Sequence, residues 1–504
     1  RCNYDLNLSW GLVGTTTDQI TTTAQIVKEV DNRSSASNNF YAYVVLNKPA
    51  SLATILSGAT PGTSTFANLF GTSATLSTTN LIETVDGTTN FITMTNAPLA
   101  KYAGGSSAPT DGTYSVLSQI DSDKIFATEA EAKASTATSV YVERVYAKAT
   151  ITNSSENKLK DSSGNAIKDG SNNDITFTIL GWTLDNKNNS SYFQHQLAGT
   201  FPSYTWYNYH SDATGVTGNN IYRFAGFTAV ETGMGYRTYW ALDPNYDSYS
   251  AGTFNLATAS STFGIVGNPQ YCYENTFDVA NQKEQSTTRA LIKVQFNAGT
   301  GFYTVNDDPK VFYDATTIKG KVIEILMSAP TIFAAAGTAG LSAPTVANST
   351  VTLTTTDPNK VTVSTTLTLS DGTKTLDCSA YSTIINNLFN AENPANRIKF
   401  YDGGISYYPV LIKHFGDDAC PWSSSNHLST SSYSDEGTAP VSRYLGRYGM
   451  VRNNWYAITI SKVTNLGSPV IPTPTTDDDD KVKSYISVKI NILSWAKRTQ
   501  NVDL

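Results

Sequence analysis

The sequence predicts an all-β chain, on three observations. Ser484 to Ile492 and several other stretches alternate apolar and polar residues with a period of two, the pattern of a strand with one buried face. Thr and 29 Tyr supply strand-forming side chains, while Gly, Asn, Ser and Asp supply turns. Charged residues make up only 15% against 40% hydrophobic, which is poor in charge for an intracellular enzyme. At 504 residues the chain exceeds what one core usually organises, so two or three domains are expected.

Leu6 to Val13 and Thr22 to Val27 read as short strands, and Phe40 to Asn47 as a strong one ended by Lys48-Pro49. Leu52 to Leu56 and Phe66 to Phe70 read as short helices or loops on its flank. Phe91 to Thr95 and Val140 to Ile151 are further strands. The chain then turns polar from Asn153 to Asn173, which places a domain boundary near residue 155. Ile175 to Trp182 opens the second domain, and Asn188 to Thr262, crowded with Tyr, Trp and Gly, has the length of a decorating or functional loop region. Thr288 to Phe296, Phe302 to Val305 and Ile318 to Met327 read as strands. Thr345 to Leu369 carries two alternating stretches and reads as an inserted hairpin. Ser382 to Phe389 is the best helix candidate, with Ser382 placed as its cap. Ile405 to Ile412 is a strand that Pro409 confines to an edge or a bulge.

Tyr456 to Val463 is the next strand, followed by Leu466-Gly467-Ser468-Pro469, Pro472, Pro474 and the acidic run Asp477 to Asp480. This polar, proline-bearing stretch reads as a tether that holds the closing strand away from its own domain. In the closing strand Ile486, Val488, Ile490 and Ile492 share one face, and Trp495, Val502 and Leu504 follow. No repeat at a fixed period is evident, which favours β-sandwiches over a propeller. The expected organisation is two β-sandwich domains with loop insertions, residues 1–155 and 156–480, and a C-terminal strand segment, residues 481–504.

The net charge of −7, without a Lys/Arg cluster, argues against a nucleic-acid partner. The longest apolar stretch, Ile332 to Ala347, is broken by Gly337, Gly340 and Pro344, so no membrane span is expected. The chain begins at Arg1 rather than Met, which reads as a processed chain whose leader was removed or left out. Cys2, Cys272, Cys378 and Cys420 are widely spaced, and one disulfide or buried free thiols are equally open readings.

His195, His210, His414 and His427 lack metal-ligand spacing and read as loop or strand-face residues, so neither a metal nor a cofactor is expected. No Gly-x-Ser-x-Gly elbow occurs. Asp307-Asp308, Asp417-Asp418 and the run Asp477 to Asp480 read as solvated turns rather than a groove-flanking catalytic pair, so no enzymatic activity is expected. Tyr204 to Tyr209, with Trp206, and the more distant Trp240 read as aromatic cover for a core rim, the alternative being a sugar-stacking platform. Glu143-Arg144 and Arg452-Asn453-Asn454 read as turn and strand-edge hydrogen-bonding residues.

Several segments, in order along the chain, resemble the fimbrillin family of the Bacteroidales, the shaft subunits of type V pili, and within it the minor-fimbria subunit. They are Tyr41 to Asn47, Val142-Glu143-Arg144 with Ala147-Lys148-Ala149, and Tyr273-Glu274-Asn275-Thr276. Thr287-Thr288 with Ala290 to Phe296 and Tyr407-Tyr408 follow. Val451 to Asn454 with Tyr456, Leu466-Gly467, and Ile490-x-Ile492-Leu493-x-Trp495 complete the set. The resemblance implies two transthyretin-like β-sandwich domains, export as a lipoprotein precursor, and an extracellular place in a fimbria on the outer-membrane surface. It also implies donor-strand exchange between copies of the chain, head to tail. An Arg-specific protease removes an N-terminal strand, and the C-terminal segment of an adjoining subunit fills the groove.

On that reading the donor residues are Ile486, Val488, Ile490, Ile492, Trp495, Val502 and Leu504. Burying the first four is worth on the order of 6–12 kcal/mol before entropic costs. Accessory anchor and tip fimbrial subunits, and a host or bacterial surface receptor, are the further partners implied. The expected function is a structural fimbrial subunit that supports adhesion. The alternative is a carbohydrate-binding surface protein or tip adhesin.

Overall fold

Strands dominate the chain and helices are few, as the alternating stretches predict. The computed structural model describes residues 40–60, 63–71, 90–101, 114–196, 235–390, 396–414 and 446–479. Shorter pieces at 11–12, 22–23, 27, 75–77, 83–84, 225–229, 492–493 and 497–503 are also described.

The N-terminal part contains β1 (Phe40–Ala42), β2 (Val45–Leu46), α1 (Ala50–Ser57), α2 (Phe66–Phe70), β3 (Met94–Asn96), β4 (Ser118–Ile120) and β5 (Val142–Arg144). β1 pairs with β4, while β3 lies between β2 and β5. Leu52, Phe70, Val145, Tyr146, Phe193 and Tyr273 form its core. Tyr43 packs on Phe66 and Phe70 with ring centroids 4.9 and 4.7 Å away.

After Val145 the chain continues as β6 (Tyr146–Asn153), then β7 (Phe177–Asp185), β8 (Ser190–Tyr192), β9 (Gln270–Tyr273), β10 (Arg289–Phe296) and β11 (Phe302–Val305). Two helices follow, α3 (Thr317–Ser328) and α4 (Pro330–Thr338), then β12 (Leu353–Thr354), β13 (Thr362–Val363), β14 (Ile398–Tyr401), β15 (Ile405–Leu411) and β16 (Trp455–Lys462). β17 (Ile492–Leu493) and β18 (Lys497–Asp503) end the chain.

A five-stranded sheet runs β9-β6-β16-β18-β17, and a three-stranded sheet runs β7-β10-β15. Ala147, Ala149 and Ile151 of β6 and Tyr456, Ile458 and Ile460 of β16 alternate onto one face. They meet Trp182 and Leu184 of β7, Ala290, Ile292 and Val294 of β10, and Val410 of β15 in the principal core. Two layers thus share one apolar interior. Pro409 sits opposite Leu291 on the edge strand of the smaller sheet, as its missing N–H requires. β6 precedes the boundary drawn near residue 155, yet its inward side chains pack in the core formed with β10 and β16.

The polar stretch after β6 is a closed cap. Lys160 to Ile167 and Lys168 to Ile175 repeat an eight-residue pattern, Lys-Asp-x-Ser-x-Asn-x-Ile. Leu159 N–H donates to Ile175, Ile167 to Leu159, and Ile175 to Ile167, at 2.8, 2.8 and 3.0 Å. Leu159 and Ile175 are buried in the principal core and Ile167 packs against it. The side chains of Asp161 and Asp169 accept from the Asn165 and Asn173 amides at 2.8 and 2.9 Å and close the two turns.

Ile318 to Met327, expected as a strand, is helix α3. Its buried Ile318, Val322, Ile325 and Leu326 recur at helical spacing, which outweighs the β-branched composition. The helix expected over Ser382 to Phe389 is present, as an α-helical turn Ser382–Ile385 that widens into a π-helical turn Asn386–Asn390, with Tyr381 rather than Ser382 in the cap position and no side-chain cap bond. The hairpin expected within Thr345 to Leu369 is present as β12 and β13. These elements lie between β11 and β14 and enclose a second core with Val322, Leu326, Ile332, Leu369 and Phe389.

No helix among the described residues is long and apolar enough to cross a membrane. Cys272 and Cys378 are buried free thiols, pushed up to about 12 and about 11 by burial. Cys2 and Cys420 lie outside the described residues.

Candidate functional site

The segments Val142 to Arg144, Tyr273 to Thr276 and Val451 to Tyr456 converge on one junction. Arg452 is wholly buried and pairs with buried Glu274 at 3.2 Å. Its guanidinium also donates to the Tyr192 carbonyl at 2.9 Å and to Ser191 Oγ at 3.2 Å. Asn453 turns the chain at φ 59°, and its Oδ1 accepts from Arg144 N and Nη1, each at 3.3 Å. Asn454 Nδ2 donates back to the Val451 and Arg452 carbonyls and closes the turn that starts β16.

Glu143, buried, lies 2.5 Å from His195 Nδ1. Arg452 lies in a turn, Glu143 in an edge strand and His195 in a loop, in keeping with the sequence reading, and all three are also buried, each bonded to a polar partner far along the chain. His414 is likewise buried, 2.7 Å from the Tyr456 hydroxyl, whose oxygen accepts from Val451 N–H at 2.8 Å. His210 and His427 lie outside the described residues.

Beside this junction, Asp243 accepts from Asn188 Nδ2 at 2.6 Å, Asn245 N at 2.6 Å and Thr276 N at 2.8 Å. Its burial pushes the carboxyl up to about 7, against those three bonds. Trp240 is 1% exposed and packs edge-on to Phe277 and against His414, so it presents no face to a sugar. Trp206 lies outside the described residues.

Beyond β16, residues 466–479 form a strap across the domain rather than a free tether. Gly467, at φ 66°, lies so close to Ser406 and Tyr408 that an added Cβ would stand 2.5 Å from Ser406 Oγ. Tyr408 OH donates to the Asn465 carbonyl at 2.7 Å, and Tyr407 and Ser468 exchange backbone bonds at 2.7 and 3.0 Å. Arg289, fully buried, then clasps the strap. Its Nε meets Asp185 and its Nη1 meets Glu284, each at 2.8 Å, while Nη2 donates to the Pro472 carbonyl. The other Glu284 oxygen accepts from Thr475 N and Oγ1 at 2.8 and 2.9 Å.

A short antiparallel ladder continues from there, with Gln285 N to Thr475 O, Glu284 N to Asp477 O and Asp479 N to Gln282 O. Lys283 pairs with Asp478. Asp478 and Asp479 are 4% and 1% exposed, which corrects the expectation of a solvated run at these two positions; Asp477 is exposed, as expected, and Asp480 lies outside the described residues. Pro469 to Pro474, the loop Leu256 to Ala259, Asp185, Arg289 and Tyr407 line a groove of about 350 Å³. Of the other acidic pairs, Asp307 is half exposed and bonded to Lys399 at 2.8 Å, and Asp417-Asp418 lie outside the described residues. Among the described residues, no three His, Cys, Asp or Glu side chains gather where they could share a metal ion.

The end of the chain returns to this domain. β18 runs parallel to β16, from Trp455 opposite Lys497 to Lys462 opposite Asp503, and β17 folds back against β18. Of the expected donor residues, Ile492 and Val502 lie in these strands; Ile486, Val488, Ile490, Trp495 and Leu504 lie outside the described residues. The buried charged junction and the strap carried no signal in the local sequence. Their one trace was the shared order of the segments that meet there.

Residues 399–501 match the family model described as "Major fimbrial subunit protein type IV, Fimbrillin, C-terminal". The match spans β15, the strap, β16 and β17, and agrees over that stretch with the resemblance noted from sequence. No curated protein matches the chain. One similar solved structure, from Parabacteroides distasonis and designated "Putative cell adhesion protein", is 10% identical with a TM-score of 0.30. That likeness covers 92% of this chain and 82% of the other.

Proposed function

We propose that the chain is a structural subunit of an extracellular fimbria, exported as a lipoprotein precursor, whose copies join head to tail by donor-strand exchange. Residues 1–155 and 156–480 are proposed as its two sandwich domains and residues 481–504 as the donor segment. Anchor and tip subunits at the filament ends, and a surface receptor, complete the proposal. The match of residues 399–501 supports the fimbrial assignment.

The observation that carries the exchange is that the strap is interlocked with the domain through Arg289, Glu284 and Lys283, whereas β18 is an added strand laid on β16. A strand beyond a fixed anchor moves between molecules without disturbing the core it leaves. Removing Lys483 to Leu504 tests this. The expected product is a folded monomer, by circular dichroism, that forms neither filaments under the electron microscope nor SDS-resistant ladders. Filaments from the truncated chain, or its failure to fold, refute the proposal.

A further inference from the structure

We propose that the outward face of the five-stranded sheet, where Arg144 and Lys148 stand beside Tyr271 and Trp455, binds a sugar that carries an acidic group. The inference rests on the adhesive part of the proposed function and gives its surface receptor a chemical class. Strand register builds the face. Ala147, Ala149, Cys272 and Tyr456 turn into the principal core, so Lys148, Tyr271 and Trp455 turn outward. Lys148 has Tyr271 as its Cα partner on β9 and Trp455 on β16, so the three side chains form one row across the sheet. Each of the three is half-buried.

Local bonds hold the row in place. Trp455 Nε1 donates to Thr150 Oγ1 at 2.9 Å, and Lys148 Nζ lies 4.0 Å from the centre of the indole. Arg144 is fixed beside it, with Nη1 donating to Asn453 Oδ1 at 3.3 Å, and Arg237 brings a further guanidinium to the Asn453 carbonyl at 3.5 Å. Burial pushes Arg144 down to about 10, and burial together with the neighbouring Arg144 pushes Lys148 down. An anion set against the two cations offsets both effects, and they gather on a chain whose net charge is −7. The aromatic rings add what a bare ion does not need, flat apolar surface for the C–H face of a sugar ring. Thr152 and Thr459, bonded to each other at 3.0 Å, extend the same face with hydroxyls.

The test titrates the free subunit with sialyllactose, sulfated lactose and lactose, and scores filament formation by the unmodified chain apart. At least one acidic sugar should bind about tenfold or more tighter than lactose, with an affinity that falls as salt rises. The form that binds identifies the acidic group as carboxylate or sulfate. Lys148→Gln should lose the preference and Lys148→Arg should keep it, both with the circular dichroism of the parent. Tyr271→Ala, which leaves both cations in place, should weaken binding of the same sugar. Indifference to the acidic group, full binding by Lys148→Gln or Tyr271→Ala, or inorganic sulfate competing as well as the sugar overturns the proposal. A missing preference with filaments intact removes this inference alone. Acid-selective binding without filaments removes the fimbrial reading and leaves the binding face standing.

Discussion

Arg452 and Glu274 are both out of contact with solvent, and each satisfies charge that water would otherwise satisfy. Removing one partner leaves the other buried and uncompensated, which is the costly case for an interior pair. Arg452→Met should therefore lower stability by about 3–5 kcal/mol in urea denaturation, and adding Glu274→Gln should restore part of the loss. Asp243 makes a pH prediction at the same junction. Its carboxyl is raised to about 7 by burial, so folding favours the protonated form. The stability it contributes is complete below the ordinary Asp range and is lost as pH rises through about 7. The melting temperature should thus fall between about pH 4 and 7, and Asp243→Asn should flatten that part of the profile. An unchanged slope in the variant would assign the pH dependence to other groups.

The strap is the element whose role depends most on tertiary context. Arg289→Met would strip the clasp from Asp185 and Glu284 and release the Pro472 carbonyl. Amides of residues 468–479 should then exchange with solvent markedly faster, while those of β6 and β10 stay protected; equal protection in both proteins would show that the clasp does not hold the strap. In isolation the sequence Pro472 to Asp480 has every mark of a solvated linker, because Lys283, Gln282 and Glu284, which bury it, lie almost two hundred positions away. Helix α3 was hidden differently, by β-branched residues whose four-residue spacing passed for alternation. The cap at Lys160 to Ile175 has one aliphatic residue per eight, too sparse to read as a core element until Leu159, Ile167 and Ile175 bond to one another. Strands β6, β10, β15 and β16 were legible because period-two alternation needs no distant partner. Pro409 likewise announced its edge position.

For the whole molecule, the separation of its cores matters more than its size. Phe302 and Tyr401 belong to the principal core, whereas Val305 and Ile398, three residues along the same paired strands, belong to the second. The ribbon of β11 and β14 therefore links the two cores, and residues 306–397 supply most of the second interior, while their Phe312 stacks on Phe302 of the principal core at 4.0 Å. At the end of the ribbon Asn306 N–H donates to the Arg397 carbonyl at 2.8 Å, so the two strands are already as close as a hairpin requires. Replacing residues 307–396 with a two-residue Asn-Gly turn should remove one transition from the calorimetric unfolding profile and leave the remaining transitions near their original temperatures. Filament formation should survive the excision, since β16 and β18 pair within the sheet of β6 and the strap loses only the Ser468–Asn359 bond. If the shortened chain loses the other transitions as well, the two cores fold as one cooperative unit, and the ribbon is a structural beam for the sandwich rather than a point of attachment.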